Sequence, residues 1–387
     1  MIFVLADDIT GAAEIAGEAA ARGLTTTLST DIPAPRAADG RQQVTVVATD
    51  IRSGNATAAE EETTRLCRAI KAYCAADKGN RHLVFKKTDS VLRGHIRTEL
   101  HTIMRQLGYN RSLLIAQNPS KGRIISNGIY YIGTTPLCDT AFSHDPEFPA
   151  HSPVAAELLG DGCRQLPTGA EMPSEADTIF IADATCDSDI ERQLAKADKS
   201  TLIAGGADAF RAVLDKETGD APTAAPQYAE TPLANHDNTL LVVCGSTQSR
   251  PIAGEKAIRE RHGTEVCIPD DVFEGAAPKN WIATLQTIWR ERSALVLRVG
   301  NHQLKGATYA IRLRSVMAEA TAAMAGERTP GILIIEGGAT AFAALKRLGW
   351  HTFRVARQYA PGVVGMTHGG THIILKPGSY PWGKLFE

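Results

Sequence analysis

Leu83-Val84-Phe85-Lys86-Lys87-Thr88-Asp89-Ser90-Val91-Leu92-Arg93-Gly94-His95 reads as an apolar strand that runs into a polar, charged turn. A helix follows, because Leu92, Ile96, Leu100, Ile103 and Leu107 recur at the spacing of one helical face. The same strand–turn–helix unit repeats along the chain. Apolar runs at 2–6, 44–48, 82–86, 112–116, 178–182, 201–204, 239–244, 294–299, 331–335 and 371–375 predict strands. Amphipathic stretches at 56–74, 95–107, 252–262, 305–325 and 340–348 predict helices. This rhythm predicts an α/β protein with mostly parallel sheets flanked by helices. In such sheets ligands sit at the carboxyl ends of strands, so the turns carry the chemistry. Residues 215–238 hold Pro222, Pro226 and Pro232 without periodicity, which predicts a linker between domains at 1–214 and 239–387, with the ligand cleft between them.

Composition narrows the function classes. The 387 residues contain 41 Lys and Arg against 43 Asp and Glu, so no net field recruits nucleic acid or an anionic membrane. The longest apolar runs are far short of the ~20 residues that span a bilayer. Met1 leads straight into a strand with no basic segment before it, so a signal peptide is not expected. Cysteines at 67, 74, 138, 163, 186, 244 and 267 are scattered and never C-x-x-C, which predicts reduced thiols in a cytoplasmic protein.

Three turns in the first half concentrate charge. Ala6-Asp7-Asp8-Ile9-Thr10-Gly11-Ala12 places two carboxylates between a strand and an Ala-rich helix. Capping a helix N-terminus accounts for one of them; the other is free to bind a sugar hydroxyl, a Mg²⁺ or a transferring proton. Lys87, Arg93 and Arg97 lie where the helix macrodipole disfavours cations, which points to a ligand carboxylate or phosphate. Asp89 and Ser90 add groups for hydroxyls. Asn118-Pro119-Ser120-Lys121-Gly122-Arg123 supplies a third turn with two cations.

The second half has Cys244-Gly245-Ser246-Thr247 and Glu336-Gly337-Gly338-Ala339-Thr340 after apolar strands, followed by Ala360-Pro361-Gly362-Val363-Val364-Gly365 and Leu375-Lys376-Pro377-Gly378-Ser379. Glycine lets backbone N–H groups approach a phosphate at a helix start, so four such turns point to a nucleotide. Two patterns are dismissed. Gly378 to Lys384 matches G-x₄-G-K, but Leu385 follows and no helix can form after it. His368 and His372 are four apart in an extended stretch, roughly 13 Å, too far for one metal, so no metal ligands are expected.

Together these turns resemble the four-carbon acid sugar kinase family across nearly the whole chain. Ala6-Asp7-Asp8-Ile9-Thr10-Gly11-Ala12 is similar to its A-D-D-[LI]-T-G-A, and Lys86-Lys87-Thr88-Asp89-Ser90-Val91-Leu92-Arg93-Gly94 to its K-K-x-D-S-T-L-R-G. Gly122-Arg123 with Asn127-Gly128-Ile129-Tyr130-Tyr131 resembles a third segment, and Gly245-Ser246, Gly337-Gly338-Ala339-Thr340-Ala341 and Pro361-Gly362-Val363 resemble the nucleotide-domain turns. The resemblance implies ATP-dependent phosphorylation, with Mg²⁺, of the terminal hydroxyl of an erythronate, threonate or oxo-tetronate. Thr10, Gly11, Lys87, Ser90, Arg93, Gly94 and Arg123 would bind the sugar acid. One of Asp7, Asp8 and Asp89 would take the proton. Gly245, Ser246, Gly337, Gly338, Thr340, Pro361, Gly362, Gly365, Lys376 and Gly378 would line the nucleotide. Mg²⁺ would be held largely through water, since no carboxylate cage is visible. The chain departs from the family pattern at Ala13-Glu14, where many members have Asn-Asp, at Val91 in place of Thr, and in the tail after Lys376. A nucleotide-independent lyase or isomerase, or a sugar-acid sensor, are the alternatives, and a homodimer is expected only from the prevalence of symmetric dimers.

Overall fold

Every residue of Ile2–Ala6 (β1) is buried, as a strand covered on both faces requires. The computed structural model describes residues 1–33, 43–77, 81–145, 147–219, 233, 239–245, 255–300, 302, 307–378, 382 and 385. They divide into two compact units, residues 1–25 with 29–225 and residues 26–28 with 226–387.

β1 is followed by Ile9–Ala21 (α1) and Thr25–Ser29 (β2), whose residues 26–28 group with the second unit, and then, in the first unit, by Gln43–Ala48 (β3), Ala56–Ala76 (α2), Leu83–Lys87 (β4), Ile96–Leu107 (α3) and Arg111–Ile115 (β5). Short strands Arg123–Ser126 (β6), Ile129–Ile132 (β7) and Thr135–Pro136 (β8) then form a separate antiparallel sheet. Ala155–Leu159 (α4), Cys163–Leu166 (β9), Thr178–Ala182 (β10), Asp187–Ala195 (α5), Thr201–Gly205 (β11) and Ala207–Thr218 (α6) complete the unit. The main sheet runs β3-β1-β4-β11-β5-β10-β9, parallel throughout. Leu5, Val47, Val84, Ile96, Leu100 and Ile103 share one core. Leu92, expected on the helical face, instead precedes α3 with a left-handed backbone, φ +65°.

The second unit contains Leu240–Cys244 (β12), Glu255–Glu260 (α7), Thr264–Cys267 (β13), Asp270–Glu274 (α8), Lys279–Glu291 (α9), Ala294–Arg298 (β14), Ala307–Glu327 (α10), Ile332–Glu336 (β15) and Gly338–Arg347 (α11). Thr352–Ala360 (β16), Val363–His368 (β17) and Thr371–Lys376 (β18) end it. Its order is β13-β14-β12-β15-β18-β17-β16, parallel as far as β18 and antiparallel beyond. Residues 360–365 are therefore a hairpin turn and the start of a strand. The stretch 215–238 begins inside α6 and, apart from Gly219 and Leu233, lies outside the described residues. Among the described residues no helix is long and apolar enough to cross a membrane.

Candidate active site

Register brings the charged turns of the first unit together. Ala6 at the end of β1 is aligned with Ala48 of β3 and with Lys87 of β4. Three in-register parallel strands therefore release their chains along one edge: Asp7-Asp8, Asp50-Ile51-Arg52 and Thr88 to Arg93. Asp8 is the N-cap of α1, accepting from the Gly11 N–H at 2.9 Å through Oδ1 and from the Thr10 hydroxyl at 2.6 Å through Oδ2. Capping thus explains Asp8, and Asp7 has a different partner.

That partner is Arg52, which the sequence reading did not single out. Its Nε and Nη2 donate to the two oxygens of Asp7 at 2.6 and 3.0 Å, a bidentate pair. Its Nη1 reaches Asp8 Oδ2 at 3.2 Å and Asp89 Oδ2 at 3.4 Å. One guanidinium therefore bridges all three aspartates proposed from the sequence. Burial would raise Asp7, but Arg52 and then Lys86 outweigh it and hold the carboxyl below its usual range. Asp89 behaves alike: burial opposes ionisation, and Arg52 and Arg93 overcome it. Burial would lower Arg52, and the three aspartates drive it well up instead. Asp7, Asp89 and Arg52 are thus all charged at neutral pH.

Asp89 also organises its own turn. It accepts from the Val91 N–H at 3.0 Å and from Arg93 Nε and Nη2 at 3.1 and 2.8 Å. Arg93 reaches Asp145 at 3.2 Å and lies over the Phe142 ring. Arg123 donates to the Ser90 hydroxyl, and Tyr130 to the Ser90 carbonyl, so the small sheet is fastened onto this turn. Lys87 Nζ donates to the Thr88 carbonyl at 2.8 Å. Gly94, at φ +95°, passes so close to Asp7 that a Cβ would lie 3.2 Å from Oδ2. A side chain there would be strained and would crowd the carboxylate. Glu14, one of the departures from the family pattern, pairs with Lys121. Burial raises Glu14, and Lys87 and Lys121 hold it down. Arg97, grouped with the anion-binding cations from the sequence, instead points its guanidinium at the Asp161 carbonyl at 3.3 Å, away from this cluster.

In the second unit, Gly245 follows β12 and Gly337 follows β15, adjacent strands in register from Leu240 with Ile332 to Cys244 with Glu336. A Cβ on Gly245 would lie 2.5 Å from Cβ of Thr340, so only glycine lets the chain pass this residue. Gly337 is the N-cap of α11, which begins at Gly338. Lys376 at the end of β18 is buried with Glu336, Nζ to Oε1 2.5 Å, and lies 4.7 Å from the Trp382 ring centre. Glu336 Oε2 is buried without a hydrogen-bond partner among the described residues. Pro361 and Gly362 turn the β16–β17 hairpin, and Gly365 sits within β17 beside the hydrogen-bonded pair Tyr359 and His372. Gly378 is described just past Lys376; Ser246 lies outside the described residues. The sequence-proposed residues Gly245, Gly337, Gly338, Thr340 and Lys376 thus gather at the carboxyl ends of β12, β15 and β18, whereas Pro361, Gly362 and Gly365 belong to the hairpin.

Comparison with known proteins agrees with both halves. A sugar-binding N-terminal domain family matches residues 2–214, and a nucleotide-binding C-terminal domain family matches residues 286–380. The chain belongs to the four-carbon acid sugar kinase family. It is accordingly a phosphotransferase. It is 27% identical to a D-threonate kinase of Cupriavidus necator over 93% of this chain and 88% of that protein. A D-erythronate kinase of Heliobacterium modesticaldum is 30% identical, but the match spans 41% of this chain and 35% of that protein. A 3-oxo-tetronate kinase of Methylobacterium radiotolerans is 24% identical over 99% of this chain and 96% of its own length. A crystal structure of a Haemophilus influenzae protein shares the fold, with TM-score 0.71 at 19% identity over 99% of this chain and 98% of that one.

Proposed function

We propose that this protein transfers the γ-phosphoryl group of ATP to the terminal hydroxyl of a four-carbon sugar acid. The observation that carries this reading is the Arg52-bridged trio of Asp7, Asp8 and Asp89, ringed by Lys87, Arg93 and Arg123, at the carboxyl edge of the sugar-binding sheet. Carboxylates suit hydroxyls and the cations suit the substrate carboxylate, so both functional groups of a sugar acid are matched. Arg93 and Lys87 grip the carboxylate, with Arg123 beside them. Thr10, Gly11, Ser90 and Gly94 shape the hydroxyl side.

Asp8 takes the proton of the attacking hydroxyl. Its side chain is 21% exposed, against 2% for Asp7 and 9% for Asp89, so it is the carboxylate a substrate can reach. Asp7 and Asp89 hold Arg52 and Arg93 in place. In the second unit the close pass of Gly245 against Thr340, the α11 start at Gly337-Gly338 and the Lys376 ammonium suit a phosphate chain. Mg²⁺, when bound, neutralises phosphate charge and enters with the nucleotide. Phosphorus NMR of the product tests the reading. A phosphate ester on the terminal carbon is expected; an acyl phosphate on the carboxylate, or ATP cleavage with no phosphorylated acid, would contradict it.

A further inference from the structure

Beneath the aspartate cluster lies an ion pair that the chemistry above does not use. Lys86 and Lys87 are consecutive on β4, so their side chains leave opposite faces of the sheet. Lys86 is 1% exposed, and its ammonium lies 2.5 Å from Glu99 on the first turn of α3, itself 2% exposed. Lys86 is paired in register with Leu5, and Asp7 is two residues beyond Leu5 on the same face. The ammonium is paired with Glu99, and its charge is among those that hold the Asp7 carboxyl below its usual range. The second Glu99 oxygen, Oε1, is buried without a hydrogen-bond partner among the described residues.

Burying a lysine and a glutamate at this cost is not needed for packing, since a pair of apolar side chains would fill the space as stably. We propose that Lys86, backed by Glu99, is a positioning residue that keeps the Asp7 carboxylate ionised and seated on Arg52. This rests on the sugar-acid reading of the Asp7–Arg52–Asp89 cluster. Arg52 cannot span three aspartates unless Asp7 presents both oxygens to it, and a protonated Asp7 offers one acceptor fewer. Glu99 carries the opposite consequence. Burial, opposed by Lys86, and the nearby Asp7 charge leave Glu99 above its usual range, so it adds shape and a partner for Lys86 more than negative charge. The groups facing Asp7 are Arg52 from the turn after β3, Lys86 from β4, Asp89 from the turn after β4, its neighbour Asp8, and Glu99 from α3 through Lys86.

The test uses two variants of the full chain, Lys86→Met/Glu99→Met and Glu99→Gln. Three quantities are read: melting temperature, the ¹³C carboxyl titration of Asp7 (assigned with Asp7→Asn), and the pH profile of kcat/KM. The double variant is expected to melt close to the parent, because no charge is left unpaired. Its Asp7 titrates at higher pH and the acid limb of kcat/KM moves up with it, so the loss in kcat/KM is greatest at the acid end of the profile. Glu99→Gln keeps the Lys86 charge, so Asp7 stays at its parental pH or below. A double variant with parental Asp7 titration overturns the proposal, as does an equal Asp7 shift in both variants. If the parent turns over no sugar acid, the functional reading fails by itself, while the Asp7 titration still decides the role of Lys86.

Discussion

Replacing Arg52 by Met is the perturbation with the most to reveal, because one side chain holds three carboxylates. Asp7 has a side chain only 2% exposed and loses both of its close charged hydrogen bonds. Removing one partner of a buried pair leaves a charge without compensation and costs about 3–5 kcal/mol. In a unit of this size that is a fall of roughly 6–20 °C in melting temperature. The pH dependence follows from the direction of the shifts. With Arg52 present, Asp7 and Asp89 titrate below their usual range, so their contribution is complete above the unfolded value of about 3.9 and fades as pH falls toward the folded values. Without Arg52, burial, the largest influence on both, pushes them up, though Lys86 and Arg93 limit the rise. The folded variant then takes up protons that its unfolded chain has released, so the deficit is greatest near neutrality and narrows toward pH 4. Chemical denaturation of parent and variant between pH 4 and 8 measures this directly. A deficit below about 1 kcal/mol at pH 7, the range of an exposed pair, or one that does not change with pH, refutes the reasoning.

Asp8→Asn separates capping from chemistry: asparagine keeps the cap but loses the oxygen that accepts from Thr10 and Arg52, so stability falls by only about 0.5–1.5 kcal/mol, while turnover falls about 10²–10⁴-fold. Denaturation and steady-state kinetics on the same preparation check both halves. Arg93→Ala removes a charged hydrogen-bond donor worth about 1.5–3 kcal/mol, so kcat/KM for the sugar acid falls roughly tenfold to a hundredfold with ATP affinity unchanged. Calorimetric titration with ATP would expose a wrong domain assignment. Gly245→Ala forces a methyl to within 2.5 Å of the Thr340 Cβ, costing about 1–3 kcal/mol, and abolishes the rise in melting temperature produced by ATP.

The apolar runs gave away the strands because a parallel sheet covered on both faces leaves little room for polar residues in β1, β12 or β15. Asp7, Asp8 and Asp89 were legible because carboxylates at strand ends stand out against apolar neighbours. Arg52 was not. Its turn, closed by the Gly54 N–H on the Ile51 carbonyl, looks like any surface turn, and its importance depends on β3 lying beside β1, a pairing across forty residues that no local pattern encodes. Lys86 was hidden for a related reason: two adjacent lysines look like a solvated pair until the strand sends them to opposite faces, both buried. Leu92 continued the helical spacing of α3, but its N–H bonds back to the Asp89 carbonyl at 3.2 Å, and the turn around Asp89 overrode the periodicity. The hairpin at 361–362 was not legible, because hairpin turns and phosphate turns use the same glycines.

The central claim, ATP-dependent phosphorylation of a four-carbon acid, is tested most directly by ADP release with Mg·ATP. The acceptors are the erythronate and threonate enantiomers and oxo-tetronates. The account predicts turnover on at least one of them, dependent on Asp8 and Arg93. No ADP from any acid, together with no change in melting temperature on adding ATP, would contradict it.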